Sequence, residues 1–114
     1  MTWDDAITFA LTLPDTELST SYGKPAVKVT SNGRAFLLTS HEADTSFAVV
    51  MDLDSIELLK ATEPDTYWQT PHYEGWEGVL VRYHAADEQR VRDVIERAKE
   101  FAAGKAKARP RKRK

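Results

Sequence analysis

Apolar residues near the start recur at helical spacing: Trp3, Ala6, Ile7, Ala10, Leu11 and Leu13, with Pro14 ending the run. Thr2 is placed to cap this helix, Asp5 follows three residues on, and Asp4 and Asp5 suit the positive end of its dipole. Trp3 falls on the apolar stripe and reads as core. From Thr20 the period changes. Gly23 and Pro25 break helix, and over Ala26 to Thr30 Val27 and Val29 alternate with Lys28 and Thr30. Asn32-Gly33 is a strong hairpin signal and leads into Arg34 to Ser40, where alternation puts Phe36 and Leu38 on one face. A polar turn at 42–45 precedes a third strand, Ser46 to Leu53, with Phe47, Val49 and Met51 on one side. Three strands joined by short turns predict an antiparallel meander.

Asp54 or Ser55 then starts a short helix carrying Ile56, Leu58, Leu59 and Ala61, which Glu63-Pro64-Asp65 ends. Residues 66–78 (TYWQTPHYEGWEG) concentrate two Trp, two Tyr, one His, one Pro and two Gly. Residues 79–84 alternate as a strand, with Val79, Val81 and Tyr83 opposing Leu80, Arg82 and His84. Asp87 caps a long helix to Ala103, striped by Val91, Val94, Ile95, Ala98, Phe101 and Ala102, with Gly104 at its end. The predicted order is α-β-β-β-α-β-α, a two-layer α+β sandwich on an antiparallel sheet.

Charge changes this picture more than composition does. The 114 residues carry 16 Lys/Arg and 18 Asp/Glu, for a net charge of −2. Residues 105–114 (KAKARPRKRK) hold seven of those basic residues and no acid. Residues 1–104 keep nine basic against eighteen acidic residues, a net charge of −9. The chain therefore divides into one acidic globular domain, 1–104, and a basic tail, 105–114, expected to be disordered. A content of 41% hydrophobic and 30% charged residues suits a folded domain. The absence of cysteine excludes disulfides, thiolate metal sites and a thiol nucleophile, and fits a reducing compartment. With no basic leader and no apolar run of membrane-spanning length, a cytoplasmic protein without a membrane partner is expected.

Catalytic signatures do not emerge. The five glycines build neither a dinucleotide fingerprint nor a phosphate loop, and no serine sits in a GxSxG elbow. His41-Glu42 does not continue into a metal-binding helix motif, and His72 and His84 share no ligand spacing. Asp52 and Asp54 imitate a paired-carboxylate metal site, but a strand end followed by a helix cap is the plainer account. His72 with Tyr73 or Glu74 could do acid–base work, though no spacing requires it. No catalytic residue, metal or cofactor is assigned, and a non-enzymatic protein is expected.

Tyr22-Gly23-Lys24-Pro25-Ala26-Val27-Lys28-Val29 resembles the opening motif of the MmcQ/YjbR-like family, in which Gly-x-Pro-Ala/Ser leads into a strand bearing a Lys. The resemblance continues through Gly33-Arg34-Ala35-Phe36, Phe47 to Leu53, Thr70-Pro71-His72-Tyr73, Trp76 and Val79-Leu80-Val81-Arg82 to the last helix, spanning about residues 3 to 103. It implies a compact fold similar to the secretion-chaperone class. It also implies DNA binding, since that fold has been likened to a double-wing DNA-binding arrangement. The Ser-Tyr pair that many members carry in the last helix is replaced by Arg97-Ala98-Lys99.

Two functions follow as expectations. The first is binding of DNA or RNA, mainly through the tail residues Lys105, Lys107, Arg109, Arg111, Lys112, Arg113 and Lys114. Lys24, Lys28, Arg34 and Arg82 on or beside strands would contribute phosphate contacts. A domain of charge −9 repels a polyanion unless its basic residues gather on one face. The second is a protein- or small-molecule-binding module using Trp68, His72, Tyr73 and Trp76 as contact aromatics. The plainer reading of those rings is a folded cap over the sheet edge, a satellite of the core. A monomer or weak dimer is expected.

Overall fold

The computed structural model describes residues 1–21, 23–40, 45–71, 73–83 and 87–106. Its elements are α1 (Trp3–Ala10), β1 (Thr16–Ser21), β2 (Lys24–Val29), β3 (Ala35–Thr39), β4 (Ser46–Val50), α2 (Leu53–Thr62), β5 (Tyr67–Trp68), β6 (Gly78–Arg82) and α3 (Glu88–Ala103). The fold is α+β, with an open six-stranded antiparallel sheet ordered β1-β2-β3-β4-β6-β5. Two strands are additional to the predicted order. β1 (TELSTS) has one apolar residue, the exposed Leu18, and is a strand because its backbone pairs with β2 from Thr16↔Val29 to Ser21↔Lys24. β5 pairs only Tyr67↔Val81 and Trp68↔Leu80.

Helix starts follow local rules. Thr2 and Asp5 form a reciprocal capping box on α1, and Asp87 accepts from Arg90 N–H at the start of α3. The cap of α2 is Asp52, not Asp54 or Ser55; its carboxylate accepts from Ser55 N–H at 2.9 Å. Asp5 and Asp52 are both held below the ordinary carboxylate range, chiefly by the N–H groups they accept. After α1 the Thr16 hydroxyl donates to the carbonyls of Leu13 at 2.8 Å and Ala10 at 3.1 Å, satisfying the helix end as the chain turns into β1.

The Asn-Gly turn forms as expected, with Gly33 N–H bonded to Val29 O and Gly33 at φ 72, where a side chain would be strained. Register in this hairpin corrects the simple alternation. Val27 faces Leu37, yet Lys28 faces Ala35, so β3 carries one extra residue at Phe36. Phe36 and Leu37 are consequently both fully buried in the core, while Leu38 turns to the opposite face. Phe36 and Leu38 do not share a face.

The three helices cover one side of the sheet. Val27, Val29, Leu37, Phe47, Val49, Val79, Val81 and Tyr67 meet Ala6 and Ala10 of α1, Ile56 and Leu59 of α2, and Val91, Val94, Ile95, Ala98 and Ala102 of α3. Trp3 packs on this core with its ring centroid 6.5 Å from Phe47, as its position on the stripe predicts. Glu63 at the end of α2 binds Arg90 of α3 at 2.8 Å, which holds that guanidinium more firmly protonated. Tyr67 lies beneath this pair, and burial together with the Glu63 carboxylate pushes its phenol strongly upward. Among the described residues no helix is long and apolar enough to cross a membrane.

Candidate functional site

The other side of the sheet carries Lys24, Ala26 and Lys28 of β2, Leu38 of β3, Ser46, Ala48 and Val50 of β4, and Gly78, Leu80 and Arg82 of β6. Strand alternation and register require this placement. Strands β2 to β6 contain Lys24, Lys28 and Arg82 and no acid. The three helices contain eight acids against five bases. Strands β2 to β6 are thus free of acid while the helices are rich in it, a contrast that the net value of −9 does not show.

A groove of about 800 Å³ crosses this open face. Its floor is Ala35, Leu38 and Val50; Ser21, Lys24 and Pro25 bound one end, Arg34 and Lys105 the other, and Tyr73, Trp76 and Glu77 form a wall. The wall is built by the loop between β5 and β6. Gln69 secures it, its amide donating to the carbonyls of Gly78 at 2.8 Å and of Tyr73 and Trp76 at 3.3 Å. Tyr73 and Trp76 meet edge to face at 5.0 Å, and burial raises the Tyr73 phenol above its ordinary value. Trp76 packs against Gly78, where any Cβ would collide with the indole ring, yet it remains 42% exposed.

The far end of the groove is where the chain passes toward its basic terminus. Asn32, in the hairpin turn, is buried and donates to Ala102 O at 2.8 Å and Lys105 O at 3.2 Å, closing the carboxyl end of α3. Arg34 Nε donates to Ala106 O at 2.8 Å. Lys105 ion-pairs with Glu77 at 2.8 Å and lies over the Phe101 ring at 4.6 Å. Lys105, grouped with the tail on composition, is thus held against the fold and lines the groove.

Of the expected site residues, Lys24, Arg34, Lys105, Tyr73 and Trp76 come together in this groove. Arg82 and Trp68 share the open face nearer the β5 edge, with the guanidinium carbon 3.9 Å from the indole centroid. Lys28 is set apart: its cross-strand neighbour is Glu17 on β1. Lys24, Lys28, Arg34 and Arg82 make no ion pair with any described residue. His72, with Lys107, Arg109, Arg111, Lys112, Arg113 and Lys114, lies outside the described residues, as do His41 and His84. Among the described residues no cluster of His, Asp or Glu is arranged to hold a metal.

The aromatic segment is neither wholly cap nor wholly site. Tyr67 is core, Trp68 is part of the sheet, and Tyr73 and Trp76 wall the groove. Asn32, Gln69 and Glu77 were not among the expected site residues. Asn32 carried only a turn signal, and neither Gln69 nor Glu77 has a local pattern that marks it. The chain matches no protein-family model, no curated protein and no solved structure.

Proposed function

We propose that the open face of the sheet binds nucleic acid, with Lys24 and Arg34 taking phosphates in the groove and the basic residues beyond Ala106 extending the contact. The observation that carries this reading is the convergence of Lys24, Arg34, Lys105, Tyr73 and Trp76 on one groove beside strands that carry no acid, at the point from which the basic terminus departs. Phosphates need cations and bases need apolar or π surface, and this groove offers both. Glu77 is the acid in its lining, and Lys105 offsets its charge. The helix layer, richer in acid, disfavours a polyanion and leaves the open face as the approach. The resemblance to the MmcQ/YjbR-like family points the same way. We propose membership in it on the sequence motifs, together with a non-enzymatic role inside the cytoplasm.

Fluorescence anisotropy of a labelled twelve-nucleotide strand, titrated with the full chain, tests the proposal. Lys24→Glu with Arg34→Glu should weaken binding roughly tenfold or more per reversed residue, as expected for lost charge-assisted contacts. Arg97→Glu, on the exposed side of α3, should leave it unchanged. Equal binding by all three proteins would place the interaction outside the groove. Binding of a mononucleotide as tight as that of the strand would instead favour a small-molecule module.

A further inference from the structure

We infer that the nucleic acid taken by this face is single-stranded, with unpaired bases stacking on two tryptophan platforms, Trp76 at one end of β6 and Trp68 with Arg82 at the other. This rests on the reading above and narrows it. Gly78 underlies Trp76, and Arg82, four residues further along β6, overlies Trp68. At the rise of an extended strand, Gly78 and Arg82 are separated by roughly 13 Å along β6.

Three features select an unpaired strand over a duplex. The first is charge: Lys24, Arg34 and Arg82 are the cations of this face without an acidic neighbour among the described residues, few against the −9 of residues 1–104. Phosphate neutralisation by the face itself therefore gives little affinity, and its own share of the binding requires a second source of energy. The second is the exposed indole of Trp76, packed on a glycine from below and set edge-on to Tyr73, leaving ring surface that an apolar ligand group would cover. Bases present such faces when unpaired and hide them inside a duplex. The third is that Arg82 is already stacked on Trp68, holding cation and ring together where a base and its phosphate would both be met.

Tryptophan fluorescence of the full chain, titrated at moderate salt with a twelve-residue thymidine strand, with the same strand paired to its complement, and with inorganic polyphosphate, tests the inference. Trp3 packs against Phe47 in the core and serves as an internal background. The single strand should quench the emission and bind at least about tenfold more tightly than the duplex. Polyphosphate should bind through the basic terminus without quenching. Trp76→Ala should lower single-strand affinity roughly 5- to 150-fold, the range for one lost base–aromatic stack. Trp76→Phe should restore most of it, which separates stacking from damage to the loop. Equal affinity for strand and duplex with no effect of Trp76→Ala overturns the inference while leaving the proposed phosphate contacts of Lys24 and Arg34 standing. Failure of strand, duplex and polyphosphate alike to bind overturns both.

Discussion

The two faces of one sheet are built to different ends. The helix-covered face is a continuous apolar core, from Val27 through Leu37 and Val49 to Val79. The opposite face uses small side chains, Ala26, Ser46, Ala48 and Gly78, between Leu38, Val50 and Leu80, and sets its cations around them. Those small residues are buried, and the groove opens beside them over Leu38 and Val50. The charges are unequally placed as well: the acids lie mainly in and around the helices, while strands β2 to β6 have none.

Truncations on the two faces should differ most. Phe47→Ala removes a fully buried ring that meets Trp3 and Tyr83, and should destabilise the protein by about 3–5 kcal/mol in urea unfolding. Leu38→Ala, on the half-buried groove floor, should destabilise it by about 1 kcal/mol. Similar losses at the two positions would mean that the open face is also core. Next in size is Asn32→Ala, which leaves the carboxyl end of α3 without its side-chain donor. It should lower stability by about 1–3 kcal/mol and speed hydrogen exchange in the last turn of α3.

Asp52→Ala should remove about 0.5–2 kcal/mol through loss of the α2 cap. Because the folded state holds the Asp52 pKa below its ordinary 3.8, its contribution is fully present above that value and is lost as pH falls through the folded pKa. The variant should therefore show a shallower acid limb in a pH series of unfolding midpoints. The smallest stability effect belongs to the open face: Lys24→Glu with Arg34→Glu should shift stability by no more than about 0.5 kcal/mol per residue. A larger loss would make these cations structural and their proposed role secondary.

How much of this was legible follows from the range of the forces involved. Thr2, Asp5 and Asp87 act on neighbours within four residues, so their capping is visible in the sequence, as is the Gly33 turn. β1 is invisible because its side chains are polar and its pairing is made by backbone alone. Alternation failed at Phe36 because a bulge inserts one residue, and no period-two pattern can register that. Alternation did place Arg82 opposite the buried Val79 and Val81. The cations of the site could be named one by one, but their gathering depends on contacts such as Asn32 to Ala102 and Lys105 to Glu77, far apart in the chain. Gln69, which secures the Trp76 loop, is one amide among ordinary polar residues until the loop is folded around it.

The central claim is that the folded face shares nucleic-acid binding with the basic terminus instead of leaving it all to that terminus. The most direct measurement is the salt dependence of single-strand binding by the full chain and by its Lys24→Glu, Arg34→Glu variant. Loss of two phosphate contacts should make the slope of log K against log salt shallower by about 1.4. Parallel lines of equal affinity would contradict the account and assign the binding to the residues beyond Ala106 alone.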